Sequence, residues 1–372
     1  MKRLGENQLG KSQSVRRSFQ GLSNTRLFAT TLWLATQTSC GSASTCPKGA
    51  SHNSSASTSV ATTHRPKSNL ASIPRPGAPF AITRRQNYRI EFGAYGFEID
   101  PFGGARINEF SLEGKSIIVP AKESPEANGS SIWPSPQSDW IWPPPPELDT
   151  LPWSVRIDHQ TLVLESDVSE KLGLQVVQSI TAEPEIGSVL IDYEFINRGK
   201  SARKVSPWQN TRVRPKGLTF YPASQPTYDF PDNTLVITPH EGVSWYQHKP
   251  SEVTRDSIKS YADGEEGWVA QVDGKLLFIK QFEDTKPGER APKEGEVVLY
   301  VDVNGRFVEV EQQGRYAEIA PGTSRHWKVR WVLRILPNRI KPEAGNLELV
   351  KFVRDELSRI VQAHSDSQPT QQ

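Results

Sequence analysis

From Asn87 onward the chain is written in short alternating runs. YRIEFG, FEIDPFGGARINEFSLEG, WSVRIDH, TLVLESD, LGLQVVQSITAE and SVLIDYEFINRG are rich in Val, Ile, Tyr and Phe and are separated by Gly, Asn and Pro, which predicts strand after strand. In the last run Val189, Ile191, Tyr193 and Phe195 fall on one face, and Leu190, Asp192, Glu194 and Ile196 on the other. That is a half-buried antiparallel strand ending in a turn at Asn197, Arg198 and Gly199. Further strands follow at ARKVSPWQNTRV, LTFYP, TLVITP, GWVAQVDG, KLLFIKQFE, EVVLYVDVNG, RFVEVEQQG and HWKVRWVLRIL, with hairpin signals in VDGK and DVNGR. One strong helical period appears, over residues 348–363, where Leu349, Phe352, Val353, Leu357, Ile360 and Val361 mark one face. No fixed-period repeat and no second helical domain are present. The pattern is that of an all-β chain: a single large antiparallel β-sandwich over residues 80–363, closed by one C-terminal helix, with a polar, disordered tail at 364–372.

The first 79 residues read differently. RLFATTLWLATQTSC, residues 26–40, joins a positive flank, a short apolar run and small residues before a cysteine, so residues 1–40 are expected to be an export signal of lipoprotein type with Cys40 as the lipidated residue. Gln37 stands where such signals usually carry leucine, and the basic stretch ahead of the run is long. The run is too short and threonine-rich to span a bilayer stably. An ordinary secretory signal, with Cys40 and Cys46 closing a small disulfide loop, is the main alternative, and a cytoplasmic extension without function is the third. Residues 41–79 hold Ser, Thr, Ala, Asn and Pro with almost no large apolar side chain, and are expected to be a disordered tether. An acylated Cys40 would hold the folded domain at a membrane surface.

Residues 129–153, GSSIWPSPQSDWIWPPPPELDTLPW, are the most unusual stretch. Proline supplies no amide donor and fixes φ, so an ordered loop or edge segment is expected rather than a helix or interior strand. Trp133, Trp140 and Trp142 stand beside Gln137, Ser138 and Asp139, placing flat apolar faces next to short polar groups. That mixture suits a sugar, which stacks its C–H face on an aromatic ring and pairs its hydroxyls. The alternative is that the tryptophans plug the open end of the sandwich.

Composition removes several classes of function. The chain of 372 residues, 35% hydrophobic, can bury a large core, and 44 basic against 42 acidic residues leave a formal charge of +2. The charges are spread along the chain, so no nucleic-acid footprint appears, and a monomer is expected. The only two cysteines precede the folded region, which therefore has no thiolate nucleophile or cysteine metal site. His240-Glu241 lacks a second histidine one helical turn on, so neither a metal nor another cofactor is expected.

Four segments together resemble a bacterial domain family of uncharacterised function that is similar to the galactose mutarotase-like superfamily. They are GGARINEF from Gly103, WPSPQSDWIWPPPPELD from Trp133, PWQNTRVRPKGLTFYP from Pro207, and FVEVEQQGRYAEIAPGTSRHWKVRW from Phe307. The resemblance covers residues 86–337. It implies a β-supersandwich whose concave sheet carries a carbohydrate site, as in aldose 1-epimerases, though fold alone does not settle activity.

Ring opening of a sugar needs a base for the anomeric hydroxyl and an acid for the ring oxygen, tasks the resemblance assigns to a strand glutamate and histidines. Glu309 and Glu311 lie on one face of RFVEVEQQG, opposite Val308 and Val310, and are the candidate bases. Where an epimerase's first histidine is expected, this chain has Trp208, Gln209, Asn210, Thr211 and Arg212, so the usual acid is missing. His240 and His248 are the candidates to replace it. Trp208 adds a stacking surface, Gln209 and Asn210 join Gln137 and Asp139 as hydroxyl partners, and Arg106, Arg212 and Lys280 would recognise an acidic or phosphorylated sugar. The alternative for the cations is that they pair with Glu309, Glu311 or Asp139 and hold strands together. Lys280 shares a face with Leu276, Phe278 and Phe282, so it is expected to be half-buried. Asp139 with Glu309 or Glu311 is a candidate carboxylate pair for glycoside hydrolysis. The expectation is an exported saccharide-binding protein with weak or absent epimerase activity. An active epimerase, lyase or hydrolase, or an envelope interaction domain, are the alternatives.

Overall fold

The computed structural model describes residues 80–223, 234–254 and 258–367; Cys40, Cys46 and all of residues 1–79 lie outside these. Among the described residues the alternating runs pair antiparallel into two sheets of eleven and ten strands. The first is ordered Phe80–Arg84, Tyr88–Phe92, Tyr95–Asp100, Arg106–Leu112, Ser130–Ser135, Arg203–Val213, Val308–Gln313, Val297–Val301, Lys259–Ala262, with Lys115–Ser116 paired to Arg106–Leu112 and Ala317–Ile319 to Arg203–Val213 off this path. The second runs Thr238–His240, Val243–Gln247, Leu218–Pro222, Trp268–Asp273, Leu276–Phe282, Ser324–Ile335, Ser188–Asn197, Leu174–Glu183, Thr161–Glu165, Ser154–Asp158. The expected all-β sandwich with one C-terminal helix is the fold observed. Of the run TLVITP only the end pairs, as Thr238–His240, while Phe80–Arg84, Ser130–Ser135, Val243–Gln247 and Lys259–Ala262 are strands that the periodicity does not mark.

Alternation decides what each sheet buries. Val189, Ile191, Tyr193 and Phe195 are all buried between the sheets, and each apolar side chain so placed contributes about 1.5–3 kcal/mol. The layer between the sheets also contains a polar seam. Gln209 Nε2 donates to the Tyr193 hydroxyl at 2.6 Å, while Gln312 Nε2 and Trp331 Nε1 donate to Gln209 Oε1 at 2.7 and 3.0 Å. Lys280 Nζ donates to Thr211 Oγ1 at 2.9 Å and to the Val310 carbonyl at 2.7 Å. These bonds offset the cost of placing amides and an amine in an apolar layer.

The C-terminal helix, Leu347–Ser367, starts where Asn346 Oδ1 accepts the Glu348 amide at 3.0 Å, and it runs past the expected end at Ala363. His364, assigned above to a disordered tail, is helical, and its Nε2 lies 3.0 Å from Arg330 Nη2. Leu349, Val350, Val353, Leu357 and Ile360 pack on Leu218, Trp245, Trp268, Leu277 and Ile279, covering the outer side of the second sheet. Val361, expected on this face, is exposed. Arg334 clips the helix to the sheet. Its Nε lies 2.6 Å from Glu356 Oε2, and its other nitrogens donate to the Ile186 and Gly187 carbonyls at 2.6 and 2.8 Å. With that side closed, the outer face of the first sheet is left to carry a site. Among the described residues no helix is long and apolar enough to cross a membrane.

Candidate functional site

Three neighbouring strands set the floor. Their register places Trp133 beside Trp208 and Gln313, Ser131 beside Asn210 and Glu311, and Arg212 beside Glu309. The period of two sends all of these to the outer face of the first sheet. A hairpin closed by Gly305, at φ 67°, then brings Tyr300 opposite Glu309, and the next strand brings Lys259 opposite Tyr300. A positive φ is open to glycine at little cost. Tyr300, Lys259 and Ser131 were not marked in the sequence, although counting outward from the Asn304-Gly305 turn finds Tyr300.

The tryptophan-proline stretch begins inside the sheet, not as a loop, which corrects the expectation from its prolines. Pro134 lies opposite Pro207. The Pro134 carbonyl accepts Trp140 Nε1 at 2.7 Å and the Pro207 carbonyl accepts the Gly314 amide at 2.9 Å, so both prolines turn their polar edges away from each other. Neither missing N–H therefore leaves a gap in the ladder. Trp133, Trp140 and Trp208 pack ring to ring at 5.2–6.3 Å and are buried, at most 3% exposed, so the packing alternative describes these three as they stand. Trp142 is different: it is 62% exposed and rests its ring 5.8 Å from that of Trp133.

Two arginines brace the floor. Arg106 Nη1 and Arg212 Nη1 both donate to the Asn128 carbonyl and to Ser131 Oγ, at 2.8–3.3 Å. Arg106 pairs with Asp149 at 3.2 Å, and Asp149 also accepts Trp133 Nε1 at 2.8 Å. Arg212 pairs with Glu309 at 3.0 Å and lies 5.3 Å from the Trp133 ring centre. Burial pulls the Arg106 guanidinium below its ordinary value; Asp149 opposes the shift and the like charge of Arg212 adds to it. The GGAR turn makes this approach close: Gly104, at φ 68°, has the Asp149 backbone where a Cβ would stand, at 2.2 Å.

Glu309 and Glu311 share the face the alternation gives them. Glu311 is buried; its Oε2 accepts Trp208 Nε1 at 2.7 Å and its Oε1 accepts Asn210 Nδ2 at 3.3 Å. Burial pushes its carboxyl well above the usual carboxylate range, and the like charge of Glu309 pushes it further. Lys259 and the Trp208 N–H pull the other way and do not win. Glu309, with 13% of its side chain exposed, is the member that meets solvent. A carboxyl held toward its neutral form beside one balanced by an arginine is an arrangement able to donate and accept a proton.

The other candidates are placed elsewhere. Gln209 and Lys280 face the layer between the sheets, on the opposite side from Trp208 and Asn210, because neighbouring residues of a strand cannot share a face. They are removed from the expected ligand contacts. Lys280 is also fully buried, not half-buried, and burial lowers it well below the ordinary lysine value. Asp139 pairs with Arg203 at 3.7 Å, whereas Glu309 pairs with Arg212 and Glu311 accepts Trp208 Nε1 and Asn210 Nδ2. Gln137 is half-buried in the same short turn, with its amide nitrogen 3.4 Å from Glu294 Oε1. His240 sits exposed on the edge strand of the second sheet, beside Gly345. His248 is buried, with Nδ1 3.1 Å from the Tyr246 hydroxyl, and burial lowers its pKa. His240 and His248 thus lie on the edge strand of the second sheet and just after the strand beside it, whereas Glu309 and Glu311 are carried by the first sheet. Among the described residues no group of three His, Cys, Asp or Glu is arranged to hold a metal.

A family model matches residues 88–334, well over half of the chain. The chain belongs to the family described as the domain of unknown function DUF4380. No curated protein matches this DUF4380 chain. Among solved structures it is similar to a protein of Synechocystis sp. PCC 6803, at 16% identity and TM-score 0.48, over 72% of this chain and 99% of the other. It is also similar to a putative aldose 1-epimerase from Escherichia coli, at 12% identity and TM-score 0.44, over 69% and 100%. A galactose mutarotase-like protein from Lactobacillus casei matches at 7% identity and TM-score 0.48, over 68% and 100%.

Proposed function

We propose that this DUF4380 chain binds a saccharide over the outer face of its first sheet. What supports this is the company its half-exposed polar groups keep. Glu309, Tyr300, Lys259, Arg106 and Asp149 are gathered over and around the rigid floor of Trp133, Trp140 and Trp208. Alternating donors and acceptors suit hydroxyl groups, and a floor fixed by packing costs little to order on binding. With Glu309 balanced by Arg212 and Asp149 by Arg106, charge on the ligand is matched chiefly by Lys259.

A second reading is favoured by the Glu309 and Glu311 pair: proton transfer at the anomeric centre, with Glu311 as acid and Glu309 as base, in place of the missing histidine. Ligand-observed proton NMR on a panel of neutral, acidic and phosphorylated sugars separates the two. Saturation transfer without faster anomer exchange supports a binding protein. Faster exchange that Glu309→Gln and Glu311→Gln each abolish supports an epimerase, and silence in both channels removes the saccharide reading. We further propose export with Cys40 as the lipidated residue, supported by the run of residues 26–40 ahead of it. Intact mass of the purified native protein tests this, since an unmodified Cys40 would end the proposal.

A further inference from the structure

We infer that the ligand of this face is a glycan chain and not a single sugar, with Trp142 as the platform for a unit beyond the one over Glu309. This rests on the saccharide reading above. Trp142 is one ring contact from Trp133, which is itself one cation–π contact from Arg212, the partner of Glu309. The exposed indole is therefore continuous with the candidate site. On its other side it opens into a groove of about 660 Å³, lined by Trp140, the prolines at 143–146, Glu147, Glu170 and Lys171. That volume falls within the roughly 300–1,000 Å³ of small-molecule sites.

Glu147, on the wall of this groove, accepts the Glu170 amide at Oε1 at 3.2 Å and sets a half-exposed carboxylate, a hydroxyl acceptor, close to the platform. Ile141, immediately before the platform, is held at φ 59° while 72% exposed. A β-branched residue in the left-handed region costs of order 1–3 kcal/mol and persists only where its surroundings hold it. Here the Gln137 carbonyl does so, accepting the amides of Trp140 and Ile141 at 3.1 and 3.0 Å. The turn thus keeps Trp142 facing outward at an energetic cost, 62% exposed while its ring rests on Trp133 and Trp140 at 5.8 and 6.5 Å. Prolines on the groove wall fix the backbone, so an extended chain meets a surface that is already ordered.

The test is calorimetric titration of the full chain with malto-, cello-, chito- and galacturono-oligosaccharides of increasing length, starting from the single sugar. In the series that binds, affinity should rise about tenfold from one unit to three, the upper end of what one aromatic contact supplies. Trp142→Ala should erase that gain while leaving single-sugar affinity within about twofold, and Trp142→Phe should restore part of it. Equal affinity for one unit and for longer chains would overturn the inference and leave the saccharide reading standing. Equal losses for short and long ligands in Trp142→Ala would overturn it as well, as would self-association that Trp142→Ala abolishes with no effect of chain length. Failure of every series would remove both claims.

Discussion

Glu296 makes stability fall as pH rises, by an amount its surroundings allow to be worked out. Its carboxylate is almost fully buried just ahead of the strand Val297–Val301, and its two oxygens accept the Thr285 amide at 2.6 Å and the Gly264 amide at 2.8 Å. Burial raises its pKa from 4.5 to about 7, against the pull of those donors, and the charge of nearby Asp284 adds to the rise. Because the folded-state value is the higher one, the stabilisation is complete below the unfolded value and is lost as pH climbs through about 7. The rise corresponds to about 3 kcal/mol in full, most of which is lost between pH 5 and pH 8.5. Asp263 and Asp284 are raised by burial and act in the same direction, whereas Lys280, lowered by burial, acts in the opposite one. The readout is therefore a difference: urea unfolding of the wild type and of Glu296→Gln at several pH values. The variant loses one of the two amide bonds and should start about 1–3 kcal/mol less stable in acid. Its deficit should then shrink by about 2–3 kcal/mol toward pH 8.5. Parallel curves for the two proteins would refute the assignment of this pH dependence to Glu296.

Gly104→Ala should drive a methyl into the Asp149 backbone and release the Arg106 and Trp133 contacts, costing more than about 2 kcal/mol by thermal or urea unfolding; a neutral outcome would mean the turn yields. Glu356→Gln leaves Arg334 buried without its carboxylate and should cost about 3–5 kcal/mol, while Arg334→Met with Glu356→Leu should recover much of that in the same measurement. Glu311→Gln should hold stability at neutral pH to within about 1 kcal/mol, because the carboxyl is already pushed toward its neutral form. The Asn210 amide, whose Oδ1 has no partner, can turn over to accept the new donor, so a large loss in unfolding experiments would show that Glu311 is needed as an anion.

Much of the fold is legible because alternation is a local property. Val189, Ile191, Tyr193 and Phe195 identify their core face without any knowledge of the partner strands, and Asn304-Gly305 marks a hairpin from two residues. The shared face of Glu309 and Glu311 follows from the same rule. That rule also excludes Gln209 from the face of Trp208 and Asn210. What stays hidden depends on pairing across long separations. Pro134 is acceptable in a strand because it stands opposite Pro207, far along the chain, at a pair where each residue turns its polar edge away from the other. Asp149 meets Arg106 through the close approach at Gly104, and no spacing in the sequence encodes that contact. The burial of Trp133, Trp140 and Trp208 and the exposure of Trp142 likewise come from how the segment folds back on itself, since all four rings look alike in the sequence.

The polar seam between the sheets works as an alignment key. Apolar side chains tolerate sliding, since one methyl contact resembles the next, but Gln209, held within its own sheet by Gln312, can meet Tyr193 and Trp331 together in one relative placement of the two layers. A shift of one sheet against the other by one residue would break both of these cross-sheet bonds at once and leave buried donors unpaired. The strand that holds Gln209 inward holds Trp208, Asn210 and Arg212 outward. The key therefore fixes the candidate site from behind, so a ligand meets a template whose spacing does not adjust and is selected by shape before any side chain moves.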